Sequence, residues 1–332
     1  MKMESVRDLK LEIAKEVFAP IVNDLLERAL KPRIGTRLAL SPLQRISLGI
    51  APGAAPGEFK IAVRLQARSA LLRKFVDLVR AKVGDEIDVR FIGRVSAHDD
   101  ANAVENLRKV CRPLLIGCSI AHIASTAGTL GLIARHRKSA RTVVLSNTHV
   151  LAQTGQAKLG DTITQPGPKD GATGDDHVAA LLDFVPLKLS GSNLIDAAIA
   201  VIEDTVQLAP NALPGVGPFT IPDDDAVLPG TKVMKLGRTT GLTHGEILAT
   251  ELDDLAVDYD IGTATFDHQL EITGLPDLPF SDRGDSGSLV LDENMRAIGL
   301  IFCGNPSAND GRGMSYANHL PKVMAGLDLI PL

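Results

Sequence analysis

The sequence predicts an α+β protein: a small N-terminal α/β layer domain followed by an all-β part made of two barrels. Three observations carry this expectation. Over residues 1–105 the apolar period switches between helical and alternating. From about residue 112, short apolar runs recur, bounded by Gly, Pro, Asp and Asn, as in a sandwich or barrel and unlike a βαβ fold. Between them, Pro210, Pro214, Pro218, Pro222 and Pro229 exclude a central strand across 209–230, which reads as a linker between halves of about 100 residues.

Leu9, Ile13, Val17, Ile21 and Leu25 lie at helical spacing and predict a helix from Ser5 to about Leu30. Ser5 and Asp8 resemble a capping box, and Pro20 predicts a kink or a break. Three alternating runs follow, around Ile46–Ile50, Phe59–Leu65 and Ile87–Phe91, each with one apolar face for a core. Between the second and third, Leu72, Phe75, Val76 and Val79 predict a helix over 69–83 that stops at Gly84. Residues 1–105 contain no Gly-rich phosphate loop, so a regulatory or assembly role is expected. The terminal helix can pack on its own domain or on a second copy of the chain. A homo-oligomer through the N-terminal region is therefore one of two open expectations.

Composition narrows the function classes. Lys and Arg number 35 against 40 Asp and Glu, so no global basic field invites nucleic acid or an anionic membrane. No run approaches the roughly 18 apolar residues of a membrane-spanning helix. Cys111, Cys118 and Cys303 are too few for a disulfide scaffold, and a reducing, cytoplasmic setting is expected. His98-Asp99-Asp100 and Asp175-Asp176-His177 are contiguous clusters without a second half. They read as solvated loops, and neither a metal nor a cofactor is expected.

Residues 106–332 carry the chemistry, with barrel 1 over about 112–208 and barrel 2 over about 231–332. Val143–Leu145 is an apolar strand that runs into Ser146-Asn147-Thr148-His149. Asp196 stands at the mouth of the apolar run that ends at Ile202, and Gly284-Asp285-Ser286-Gly287 is a tight turn before another strand. A serine hydroxyl needs a neighbouring base, an imidazole can accept and return its proton, and a carboxylate fixes the imidazole tautomer. N–H groups at Gly284 and Ser286 can converge on an oxyanion where no side chain blocks the turn. Asp183, in a strand run, is a rival to Asp196 for the acid.

These segments, in the order His149, Asp196, Ser286 and spaced by 47 and 90 residues, resemble the signatures of chymotrypsin/trypsin-fold serine proteases. Together with the N-terminal α/β unit, the chain most resembles the narrow-leaf-type trypsin-like peptidases of bacteria and plants. The resemblance implies a trypsin-like double β-barrel and a serine endopeptidase acting on protein or peptide. Its triad would be His149, Asp196 and Ser286, with an oxyanion hole at Gly284 and Ser286. No Ile-Val-Gly-Gly-like segment is present to be freed by zymogen cleavage. Asp285 then needs another partner, and Arg238 and Arg283 are candidates by charge. The substrate pocket would be lined by Phe280, Phe302, Cys303, Gly304 and Met314, and would take a small or medium apolar residue at P1. The alternative is a protease-fold binding or assembly protein with little general turnover.

Overall fold

A computed structural model of the chain describes residues 1–20, 45–66, 70–92, 95–97, 105–209, 212–224, 226–276, 278–308 and 312–332. It opens with α1 (Met3–Ile13), which widens into a π-helical turn at Ala14–Phe18 just before Pro20. Proline offers no N–H to the preceding turn, and the change of pitch lies where the kink is expected. The rest of that expected helix, residues 21–30, lies outside the described residues. The capping box does not form. The helix starts at Met3 with Lys2 at the cap and no side-chain cap bond, which leaves Ser5 inside the first turn.

β1 (Ile46–Pro52) and β2 (Phe59–Leu65) form a hairpin, and β3 (Ile87–Phe91) lies parallel to β2 through the crossover helix α2 (Ala70–Val83). One core joins Val6 and Ile13 of α1 to Leu48, Ile50, Ile61 and Val63, and to Leu72, Phe75 and Val79 of α2. Gly84 ends α2 with φ of 62°, a left-handed conformation that glycine adopts without strain. A two-residue strand, β4 (Ser96–Ala97), follows.

Beyond residue 105 the chain is mostly strand. The first barrel consists of β5 (Ser119–His122), β6 (Gly128–Thr129), β7 (Leu132–His136), β8 (Thr142–Ser146), β9 (Thr162–Thr164), β10 (His177–Phe184) and β11 (Ala198–Ile202). Their spatial order is β7-β8-β11-β10-β9-β5-β6, and only Leu130 and Gly131 separate β6 from β7, so the two ends of the set meet. A single helical turn, α3 (Thr148–Leu151), follows β8.

The second barrel uses β12 (Lys232–Gly237), β13 (Gly241–Asp253), β16 (Gln269–Gly274), β17 (Leu289–Asp292), β18 (Ala297–Asn305) and β19 (Met314–His319). Antiparallel pairing runs β12-β13-β16-β19-β18-β17 and back to β12, a closed barrel of six strands. A hairpin of β14 (Leu255–Tyr259) and β15 (Gly262–Phe266) projects from it. After a last helix, α4 (Leu320–Gly326), β20 (Leu329–Pro331) returns to pair with β7 of the first barrel. The fold is the expected one, a small α/β layer followed by a trypsin-like double β-barrel. No described helix is long and apolar enough to cross a membrane.

β1 and most of β2 are buried on two faces, not one, whereas β3 stays half-buried to exposed. β1 is buried from Ile46 through Ala51, because its second face docks on the second barrel. Small residues permit this: Ala51 and Ala62 pack against Ala249, and a Cβ on Gly49 would collide with the Leu252 side chain. β1 pairs with β13, Leu48 opposite Asp253 and Ile50 opposite Thr250. Ion pairs complete the seam. Arg64 of β2 meets Glu271 of β16 at 2.6 Å with both side chains fully buried, and Lys10 of α1 meets Asp253 at 2.7 Å.

Candidate active site

Neighbouring strands bring His149 and Asp196 together. β8 and β11 pair with Ser146 opposite Ala198. His149 lies three residues past Ser146 and Asp196 two before Ala198, at the same end of the sheet. His149 Nδ1 donates to Asp196 Oδ2 at 2.6 Å, which leaves Nε2 as the basic nitrogen of the ring. Main-chain N–H groups of Thr148 and His149 reach Oδ1 at 2.7 and 3.4 Å, so α3 presents its first turn to the carboxylate. A further donor comes from the second barrel: Tyr259 Oη reaches Oδ2 at 2.9 Å. Burial, and then Asp196, push that phenol well above the ordinary tyrosine range, so it stays a donor. The rival, Asp183, is exposed and accepts from the Phe184 N–H at 2.8 Å.

Ser286 arrives from the second barrel on the turn before β17. Gly284 and Gly287 both take φ of 95°. A Cβ at Gly287 would strike Ser146 Oγ and the Thr129 carbonyl, so the turn lies directly against β6 and β8. Thr129 fastens it: its N–H donates to the Ser286 carbonyl at 2.8 Å and its hydroxyl to the Gly284 carbonyl at 2.9 Å. A Cβ on Gly128 would meet both the Val150 side chain and the Ser286 carbonyl. The residue next to His149 and the turn of Ser286 therefore converge on one glycine. The Ser286 hydroxyl donates to the Phe302 carbonyl of β18 at 3.4 Å.

The partner of Asp285 is neither arginine. Lys235 of β12 lies 3.3 Å from Asp285, and both side chains are fully buried. Thr239 and Thr240 add main-chain N–H donors at 2.9 and 3.2 Å, and the Thr240 hydroxyl adds another at 2.6 Å. Arg238 instead grips Asp170, with Nε to Oδ2 at 2.8 Å, and Arg283 is exposed. The physical reason is alternation: Lys235 lies on the same buried face of β12 as Val233, whereas Arg238 lies beyond the end of the strand.

The structure divides the expected pocket residues. Phe302, Cys303 and Met314 share a cluster with Val95, Val257, Tyr259, Phe266 and Tyr316. Gly304 lies beside them on β18. Phe280 belongs elsewhere, in the core of the second barrel with Val233, Ile247 and Ile272. The edge of β18 is also paired: Cys303 stands opposite Ala97 and Gly304 opposite Ser96 of β4. Cys303 is fully buried, and burial, then Asp196, raise its thiol well above the ordinary range, which suits an inert core residue. All three cysteines are free and buried.

Of the acidic clusters, Asp176 accepts from Thr173 and His177 faces Glu203 at 3.5 Å, while 98–100 lie outside the described residues. Sequence reasoning missed Thr129, Lys235 and Tyr259. The one usable signal was a lysine in the apolar run Val233–Leu236.

Comparison with known proteins adds a family description and several solved structures. The description, the Nal1 C-terminal domain, matches residues 222–330. No curated protein matches the chain. Protease A of Thermobifida fusca is 16% identical, with 66% of this chain and 99% of that chain covered and a TM-score of 0.45. A glutamic acid-specific serine protease is also 16% identical, over 66% of this chain and 100% of that chain, with a TM-score of 0.47. Chymotrypsin from Cellulomonas bogoriensis gives 16%, 66%, 98% and 0.45 in the same terms.

Proposed function

We propose that this chain is a serine endopeptidase that cleaves protein or peptide through His149, Asp196 and Ser286. One observation carries the reading: a fully buried carboxylate holds His149 Nδ1 at 2.6 Å, at the sheet end to which Thr129 fastens the turn of Ser286. In the reaction, Ser286 Oγ leaves the Phe302 carbonyl, gives its proton to His149 Nε2 and attacks the scissile carbonyl carbon. The Gly284 and Ser286 N–H groups stabilise the resulting oxyanion; one such donor is typically worth about 10²–10³ in rate. His149 then protonates the leaving amine. Water, deprotonated by the same imidazole, releases the acyl group from Ser286. Lys235 supplies the buried cation for Asp285, so no newly cut chain terminus is needed, and zymogen cleavage has no role.

The reading divides the chain into residues 1–105, with a regulatory or assembly role, and the protease unit over 106–332. β4 supports a regulatory role. It occupies the β18 edge at Cys303 and Gly304, next to the residue whose carbonyl holds Ser286 Oγ, and Val95 fills the apolar cluster there. The same observation favours a second reading, a protease-fold binding or assembly protein with little general turnover. The Nal1 match over 222–330 is compatible with the narrower likeness to narrow-leaf-type peptidases.

Digestion of a proteome-derived peptide library by wild type and Ser286→Ala tests the reading. Cleavage after small or medium apolar residues, lost in Ser286→Ala, is expected. Cleavage chiefly after Lys or Arg would overturn the apolar P1 preference, and identical wild-type and Ser286→Ala digests would favour the second reading.

A further inference from the structure

Asp196 is a carboxylate closed off from the protein surface. Its side chain is fully buried, and such a group is tolerated only where its oxygens are hydrogen-bonded. Oδ1 is fixed by the main chain of α3, whose Thr148 N–H lies at 2.7 Å. Oδ2 has two donors, His149 Nδ1 at 2.6 Å and Tyr259 Oη at 2.9 Å. The orientation of Oδ2 toward the imidazole is therefore set by a residue from the other barrel.

Tyr259 is itself well held. It ends β14, where it stands opposite Gly262 of β15. Its ring centroid lies 5.9 Å from that of His149 and 6.3 Å from that of Phe266, which in turn lies 4.7 Å from Phe302. Phe302 offers its carbonyl to Ser286 Oγ. One row of rings thus runs from the His149–Asp196 pair to the strand beside the serine. The projecting hairpin β14–β15 supplies two of its members, and no sequence motif marks that hairpin.

We infer that Tyr259 is a positioning residue for the proposed reaction: its hydroxyl holds Asp196 Oδ2 against His149 Nδ1, and its ring shields the imidazole. The inference rests on the endopeptidase reading but is testable without turnover. Among the described residues, the titratable groups facing the pair are Tyr259 of β14 and Cys303 of β18, and both stay neutral near pH 7. Loss of the hydroxyl leaves the Asp196 charge with one donor fewer. The carboxylate then attracts the imidazolium more strongly, and His149 holds its proton to higher pH.

The test is Tyr259→Phe, which keeps the ring. The His149 titration is followed by NMR on histidine-labelled protein in a Ser286→Ala background, with His149→Gln to assign the signal. An upward shift of the midpoint by several tenths of a pH unit is expected. In the active chain, kcat should fall about tenfold with KM unchanged, well short of the roughly 10⁴ lost when the aspartate's role is abolished. The acid limb of kcat/KM should move up with the NMR midpoint. An unchanged midpoint overturns the inference, whatever the chain hydrolyses. A shifted midpoint in a chain that hydrolyses nothing supports the inference and counts against the endopeptidase reading. Should Tyr259→Phe fail to fold, incorporation of 3-fluorotyrosine strengthens the donor and must move the midpoint down; no movement again overturns the inference.

Discussion

Lys235→Met removes the cation beneath the turn of Ser286. The ammonium and the Asp285 carboxylate are both fully buried and 3.3 Å apart. Burial pulls Lys235 below its ordinary range against the pull of Asp285. Burial would raise the Asp285 carboxyl, but Lys235, then Thr240 and main-chain N–H groups, hold it below its ordinary range. The geometry is that of a charged pair, with the ammonium 3.3 Å from a carboxylate that also accepts from Thr239 and Thr240. Stripping one partner from such a pair costs about 3–5 kcal/mol. Asp285 keeps hydrogen bonds from Thr239, Thr240 and Asp282, so the lower end, about 3 kcal/mol, applies. That corresponds to a fall in Tm of roughly 6–12 °C, read by calorimetry at pH 7. Because Asp285 lies between Gly284 and Ser286, fluorophosphonate labelling of Ser286 should slow about tenfold, a modest share of what an oxyanion donor is worth. Lys235→Met/Asp285→Asn should recover part of the lost Tm, since the orphaned charge is gone. The Asp285 contribution is present above the unfolded carboxyl pKa and is lost as pH falls through the depressed folded value. An unchanged Tm together with wild-type labelling in Lys235→Met would refute the reasoning.

Three further outcomes are expected. Burial, then Asp267 and Asp253, raise the Asp254 carboxyl to about 7. A raised carboxyl contributes stability that is present below the unfolded value and lost as pH rises through the folded one. Tm should therefore fall between about pH 4 and 7 in the wild type, and Asp254→Asn should flatten that slope and be the more stable protein at pH 8. Arg64→Met leaves Glu271 buried with the Tyr316 hydroxyl at 3.3 Å and should cost about 3–5 kcal/mol by denaturant unfolding, loosening β2 from β16. Val95→Asp puts a charge among Phe302, Cys303 and Met314 and should release β4 from the β18 edge. If the occupied edge leaves about one molecule in ten competent, labelling of Ser286 rises about tenfold; labelling that does not rise removes the regulatory role of β4.

What sequence could and could not reveal follows from the range of the forces involved. β1, β2, β3 and α2 were legible because period and stop signals are local: Ile46, Leu48 and Ile50 alternate, and Gly84 ends the helix. The pairing of His149 with Asp196 and the tight turn at Ser286 were legible because each lies in a short segment with a local signature: a strand end, a strand mouth and two flanking glycines. Partnerships across the barrels were not. Charge alone pointed Asp285 to Arg238 or Arg283, and only the inward register of β12 distinguishes Lys235 from them. Tyr259 reaches Asp196 from 63 residues away on a hairpin without a motif. Phe280 precedes Ser286 by only six residues in the chain, yet the Thr243 hydroxyl bond to its carbonyl at 2.6 Å helps tie it into the second barrel's own core. Burial of the second face of β1 depends on Gly49, Ala51 and Ala62 meeting β13, which no period reveals.

The central claim is that Ser286 is a nucleophile activated by His149. Incubation of the folded chain with a fluorophosphonate probe, followed by mass spectrometry of the modified peptide, tests it most directly. The account predicts a single adduct on Ser286, absent in Ser286→Ala and strongly slowed in His149→Gln. An unlabelled wild type, or an adduct that forms equally fast without His149, would contradict it.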